Sequence, residues 1–162
     1  RASVAKLSCK HADAPGEFVC SLATWDLRDN MHLTSASGPY GVDEFPIGDL
    51  TAAPCRLVKA PRVKESPAAF ECKFWKTLEL PPLHPGGETK NWVVFGQVVR
   101  VHLDDRFIKH GMVDTGAMPP VGRLGHMDYA LVTPATFSST ARPSVAAAVP
   151  QVEPKAAEPP RP

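Results

Sequence analysis

Long apolar runs are missing from this 162-residue sequence: no stretch approaches the roughly 20 residues that a membrane-spanning helix needs, and the N-terminus has no charged-then-apolar signal layout. A soluble, cytoplasmic chain with no membrane partner is the expectation. An excess of either charge is missing too, since 18 Lys+Arg stand against 17 Asp+Glu for a formal charge of +1. That balance argues against a histone-like tail, a polyanion binder held by bulk charge and an acidic solvating protein. No strand pattern interleaves exposed aromatics with Lys or Arg, so no nucleic acid partner is expected. Paired cysteines are absent as well. Cys9, Cys20, Cys55 and Cys72 are spaced 11, 35 and 17 apart, which fits neither a CxxC metal pair nor a compact disulfide framework. They read as reduced thiols, with Cys20 and Cys72 inside apolar strand patterns.

The common enzyme signatures are also lacking: there is no GxGxxG, no GxxxxGK[ST], no GxSxG and no HExxH. Gly86-Gly87-Glu88-Thr89-Lys90 superficially matches a phosphate cradle, but it follows three prolines and joins two strand patterns without a helix behind it. A surface hairpin loop is the simpler reading. His102, Asp104 and Asp105 could form a hard-metal cluster, yet His102 and Asp104 fall on the polar side of a strand whose other side is Val99, Val101 and Leu103. A solvated outer face explains them, and no metal is expected.

Proline, by contrast, is abundant, with 18 residues that cluster towards the C-terminus. From Ser138 onwards the chain has no aromatic residue, no Ile and no Leu, so it cannot bury enough apolar area to offset the entropy of ordering. Residues 138–162 are expected to be a disordered Pro/Ala-rich tail, and residues 1–137 a single domain.

Within that domain, Val4, Leu7 and Lys10 or His11 recur at helical spacing, and Pro15-Gly16 closes a short helix over Ser3 to Ala14. Glu17 to Thr24 alternates as a strand, with Phe18, Cys20 and Leu22 on one side. Asp26 is placed to cap a helix from Leu27 to about Leu33. Gly38 to Pro67 is a long proline-punctuated excursion with brief extended pieces such as Cys55 to Val58, anchored by Val42, Phe45, Ile47, Leu50, Leu57 and Val58. Ala69 to Leu80 sets Phe70, Cys72 and Phe74 against Glu71, Lys73 and Trp75, and Trp92 to Asp105 is rich in β-branched and aromatic residues. A long β-hairpin with a wide loop follows from that pair. Arg106 to Met118 is read as turns with one helical turn. Residues 121–132 end the ordered part. The residues alone therefore give a mainly β domain, a barrel with two or three flanking helices.

Two small patterns could bind a ligand. Lys6-Leu7-Ser8 lies in the first turns of a helix, where a cation, a hydroxyl and free N–H groups can converge on a phosphate. His126 stands in a glycine-flanked turn beside Tyr129 and could line a pocket.

Taken together, several ordered blocks resemble the flavin reductase-like, FMN-binding split-barrel family of flavoprotein oxygenases and reductases. They are Gly16 to Cys20, Asn30-Met31-His32-Leu33-Thr34-Ser35-Ala36, Gly41 to Phe45, Arg56 to Pro67, Phe70 to Lys73, and Gly122-Arg123-Leu124-Gly125 leading to Asp128-Tyr129. The resemblance implies a six-stranded, Greek-key split β-barrel with short flanking helices that forms a homodimer with FMN at the subunit interface. It implies an NAD(P)H-dependent oxidoreductase that passes a hydride to flavin, or uses bound FMN for related chemistry, with a partner oxygenase receiving reduced flavin. No catalytic acid or base is implied, because the cofactor supplies the chemistry. The family's Lys-Asp-Ser/Thr phosphate motif falls on Lys6 and Ser8, with Leu7 in place of the acidic residue, and Thr34, Ser35, His126 and Tyr129 are the implied flavin-lining residues. His32 stands where relatives carry Asn. Relatives carry further barrel strands before the phosphate motif, so the domain is expected to be N-terminally incomplete. The alternative reading is a non-catalytic split-barrel remnant, a dimerisation or interaction domain without flavin.

Overall fold

A computed structural model describes residues 15–36, 41–82, 84–87 and 91–142. The expected helix over Ser3 to Ala14, the Glu88 to Lys90 part of the glycine loop and the tail from residue 143 lie outside the described residues, and residues 138–142 belong to no helix or strand.

The strand patterns fold as expected into a three-stranded antiparallel sheet of β1 (Glu17–Ser21), β4 (Ala68–Glu79) and β5 (Trp92–Leu103), with β4 in the middle. β1 pairs with the 69–73 stretch of β4, so among the described residues the outer half of the β4–β5 hairpin is a two-stranded ribbon. Two register shifts interrupt the hairpin, one between Glu71 and Cys72 and one between Phe74 and Lys76. Each leaves a residue without a cross-strand partner, Val99 on β5 and Trp75 on β4, and an unpaired residue is re-aimed. Trp75 does not stay with Glu71 and Lys73: it is 67% exposed, edge-on to Phe95 at 5.9 Å, with Lys76 against its ring.

Alternation along the strands gives the sheet two chemically distinct faces. The register puts Phe18, Cys20, Phe70, Cys72, Val98, Val101 and Leu103 on one, and Glu17, Ser21, Ala69, Glu71, Lys73, Arg100 and His102 on the other.

The connections differ more from the sequence reading. Trp25–Leu27 is a 3-10 turn that runs into α1 (Arg28–Thr34), and Asp26 lies inside that turn instead of capping the helix. Asp43 is the acidic cap that forms: it accepts from the Phe45 N–H at 3.0 Å and starts α2 (Glu44–Ile47). Asn30 on α1 donates to the Gly48 carbonyl at 2.7 Å, tying the two helices together. A Cβ at Gly48 would lie 2.6 Å from the Thr34 methyl, so the close approach requires glycine. In the excursion, β2 (Ala52–Ala53) pairs with β3 (Arg62–Val63). Cys55 to Val58, expected to be extended, instead turns its N–H groups inward, for a reason given below.

After β5, Asp104 accepts from the Arg106 N–H and starts a 3-10 turn at Asp105–Phe107. A tight hairpin follows, β6 (Ile108–Lys109) with β7 (Met112–Val113), its corner formed by His110 and Gly111 with φ of 52° and 77°. A second 3-10 turn at Thr115–Ala117 makes two helical turns where the sequence suggested one. The last hairpin, β8 (Val121–Arg123) with β9 (Tyr129–Leu131), is joined to the end of β1 by the Thr24–Pro120 bridge and the Trp25 N–H donating to Pro119. Among the described residues the strands form one three-stranded and three two-stranded sheets and do not close into a barrel. No described helix is long and apolar enough to cross a membrane.

Candidate functional site

The polar face of the sheet is organised by Glu71, whose residue is 0% exposed. Its Oε1 accepts from the Arg56 N–H at 3.0 Å, and its Oε2 from the Leu57 N–H at 2.6 Å and the Val58 N–H at 3.1 Å. His102 Nε2 lies 2.5 Å from Oε1 across β4 and β5. Arg100 Nε stands 3.9 Å from Oε1, too far for a hydrogen bond, and has no hydrogen-bond partner among the described residues. Burial alone would push this carboxyl up; the three N–H donors and His102 outweigh it and hold the group down at about 2. Glu17 repeats the device at the edge of the face, bonded to Lys73 Nζ at 2.7 Å and accepting from the Lys59 N–H, and these contacts lower its pKa. Ser21 Oγ accepts from the Val63 N–H, and Ser66 Oγ donates to the Leu22 and Ala68 carbonyls. The excursion is thus held down by its backbone N–H groups, which donate to Glu71, Glu17 and Ser21 of the sheet, and by Ser66, whose hydroxyl donates back to carbonyls at the sheet.

His102 is therefore not on a solvated outer face, as the strand pattern suggested: it is half-buried against Glu71. Asp104 is instead bound up with Arg106, at 2.6 Å to Nη2. Cys55, Glu71 and His102 bring their ligating atoms within 4.8 Å of one another. Both Glu71 oxygens already accept from two partners, which makes the cluster an anchor for the excursion.

Among the described residues the opposite face is open. Cys20, Leu22, Phe70, Val101, Val113 and Met118 line a cavity of about 460 Å³ with almost no polar atom in its wall. Phe70 and Val101 remain 45% and 50% exposed.

The expected ligand residues fall in separate places. Lys6 and Ser8 lie outside the described residues. Thr34 and Ser35 end α1, where their hydroxyls donate to the Met31 and His32 carbonyls at 2.9 and 2.6 Å. Thr34 packs with Met31, Leu50 and Val63 around a small cavity of about 110 Å³, and Ser35 is exposed. His126, at a left-handed φ of 53°, and Tyr129 share the β8–β9 hairpin. Arg123 joins them: its Nη1 donates to the Tyr129 hydroxyl at 2.6 Å, its Nη2 to the His126 carbonyl, and its guanidinium lies 4.7 Å from the Tyr129 ring centre. No hydrogen bond connects these two groups among the described residues. The sequence alone gives no functional role to Arg123 or Glu71, and it sets His102 on a solvated face. The signal available for Arg123 is its place two residues before the tight turn that carries His126.

No family model matches the chain. It is 31% identical over 114 residues to an uncharacterized protein of Aquifex aeolicus, covering 70% of this chain and 54% of that one. It is 28% identical over 124 residues to an uncharacterized protein of Halalkalibacterium halodurans, covering 76% and 58%. The chain thus spans little more than half the length of these curated relatives. Among solved structures, nitrilotriacetate monooxygenase component B from Bacillus cereus superposes with a TM-score of 0.74 at 22% identity, covering 88% of this chain and 67% of that one. Flavoredoxin of Desulfovibrio vulgaris gives 0.68 at 20% identity over 91% and 74% of the two chains. A split-barrel protein of Shewanella frigidimarina described as a flavin reductase gives 0.67 at 24% over 85% and 64%. The chain has the flavin reductase-like split-barrel fold. Within this split barrel, the covered polar face and the open apolar face lie on either side of the same three strands.

Proposed function

We propose that the chain is the flavin-binding part of an NAD(P)H-dependent, flavin reductase-like oxidoreductase that holds FMN and works as a homodimer in the cytoplasm, passing reduced flavin to a partner oxygenase. The observation that carries this reading is the superposition on nitrilotriacetate monooxygenase component B over 88% of the chain. The likeness to a flavoredoxin supports it.

The residues present suit a flat, anionic ligand at the β8–β9 hairpin. Tyr129 offers an aromatic face with the Arg123 cation stacked on it, and His126 stands exposed in the adjoining turn. Thr34 and Ser35 spend their hydroxyl protons within α1, so each can only accept from a ligand N–H. The 460 Å³ cavity has almost no polar atom in its wall to meet the polar half of an isoalloxazine ring, which favours the hairpin for the ring and leaves the cavity to apolar contacts. Bound flavin would supply the hydride chemistry, and the chain's own residues would bind and orient it. Lys6 and Ser8 are the proposed phosphate contacts, an ammonium and a hydroxyl matched to a dianion. Residues 138–162 are proposed as a tail appended to that domain.

A second reading, a split-barrel interaction domain without flavin, is favoured by the open apolar face. NAD(P)H-dependent flavin turnover by the chain would remove it.

Titration of the folded chain into FMN, followed by flavin fluorescence with riboflavin as comparison, tests the proposal. Saturable binding that prefers FMN is expected, and its absence overturns the reading. Lys6→Glu should weaken FMN by about 10- to 100-fold and riboflavin far less, since only FMN has the phosphate. Equal weakening of both would remove Lys6 from the site.

A further inference from the structure

On the open face, β1 and β4 bring two thiols together. Cys20 stands opposite Phe70 and Cys72 opposite Phe18, so the two cysteines are diagonal neighbours on the same side of the sheet. Their environments differ. Cys72 is 3% exposed, and the ring of Phe18, its cross-strand partner, reaches over β4 to Gly96 on β5. Cys20 is exposed and forms part of the wall of the 460 Å³ cavity. Burial raises the Cys72 thiol pKa, and the Cys20 thiol beside it adds to the rise. Both are free thiols. Cys55 lies elsewhere, against Glu71 and His102 on the opposite face.

We propose that Cys20 and Cys72 form a dithiol that closes into an intrachain disulfide under hydrogen peroxide, with Cys20 oxidised first and Cys72 resolving it. Access sets the order, because peroxide reaches the exposed Cys20 sulfur, whereas Cys72 is buried and burial holds it as a thiol. The Cys20 thiolate attacks one peroxide oxygen, breaking the O–O bond and releasing hydroxide, which leaves a sulfenic acid. The Cys72 sulfur then attacks the Cys20 sulfur and displaces the sulfenic oxygen as water, its own proton leaving with that oxygen. Two thiols and one peroxide thus give one disulfide and two waters. Diagonal neighbours sit about 7–8 Å apart, beyond the roughly 4.4–6.8 Å Cα separation usual for a disulfide, so closing the bridge requires backbone movement. The bridge therefore draws the strands together by a shift of β1, which is a short strand at the edge of the sheet among the described residues. Its effect would be to staple β1 to β4.

Peptide mapping of the whole chain tests this without any variant. The four cysteines fall on different tryptic peptides: Cys9 in residues 7–10, Cys20 in 11–28, Cys55 in 29–56 and Cys72 in 65–73. After one equivalent of hydrogen peroxide under native conditions and then alkylation in denaturant, the expected result is loss of two free thiols per chain and a linked 11–28/65–73 pair that reduction separates. Cys72→Ser should leave Cys20 as a sulfenic acid that dimedone labels. Cys20 carried to sulfinic acid while Cys72 is still alkylated would overturn the proposal, as would a linkage that involves Cys9 or Cys55.

Discussion

The two faces of the β1-β4-β5 sheet are built from the same strands, and at their centres Glu71 and the Phe70–Val101 pair are buried in the opposite sense to their hydropathy. On the polar face Glu71 is fully buried, whereas on the apolar face Phe70 is 45% and Val101 50% exposed. The difference lies in what covers each side. The excursion over 51–66 brings backbone N–H groups that need acceptors, and a carboxylate satisfies several at once, so an acidic residue becomes the most buried side chain of the sheet. The apolar side meets no covering layer among the described residues, only the rim formed by Val113 and Met118. Burial here follows the hydrogen-bonding demand of the covering segment as much as side-chain hydrophobicity.

The contrast can be broken first at Glu71. Glu71→Ala leaves the N–H groups of Arg56, Leu57 and Val58 without their acceptor, and thermal unfolding followed by circular dichroism should show Tm falling by more than about 10 °C. Acid sharpens the same point. Because the folded Glu71 carboxyl titrates at about 2, below its ordinary value of 4.5, the unfolded chain binds a proton first as pH drops. The contribution of Glu71 is therefore complete above about pH 4.5 and is lost as pH falls towards about 2. Glu17 adds in the same direction. Stability measured against pH should decline through that window, and Glu71→Gln should flatten the decline.

A smaller effect is expected on the open face, where Phe18 lies over Gly96. An added Cβ there would meet Phe18 Cε1 at 2.5 Å, so Gly96→Ala should cost about 1–3 kcal/mol in chemical denaturation as the ring is displaced. The smallest belongs to Phe70→Ser. If the face is as open as its exposure indicates, the substitution should change stability by less than about 1 kcal/mol, and a loss several times larger would mean that the face is covered in solution.

The sequence pattern carried the long strands well, because alternation and β-branched residues over a dozen positions at β4 and β5 leave little ambiguity. It misplaced Trp75 because a bulge is a one-residue event with no composition of its own. Period-two alternation sorts residues into faces and cannot say which face is covered, so the strand pattern sets His102 in solvent although it lies against Glu71. The clasp of Glu71 on residues 56–58 pairs a side chain with backbone N–H groups 13 to 15 positions away, and backbone donors leave no trace in residue identity. At the candidate ligand site, His126 and Tyr129 were legible as a glycine-flanked turn, whereas the Arg123 contacts that unite them depend on the hairpin register.

Hydrogen exchange resolved to single amides tests the two-face account most directly. Arg56, Leu57 and Val58 belong to no helix or strand, yet their amides donate to a buried carboxylate. The account predicts protection close to that of the central strand β4, and loss of that protection in Glu71→Ala. Exchange at the rate of an open loop in the native chain would contradict it.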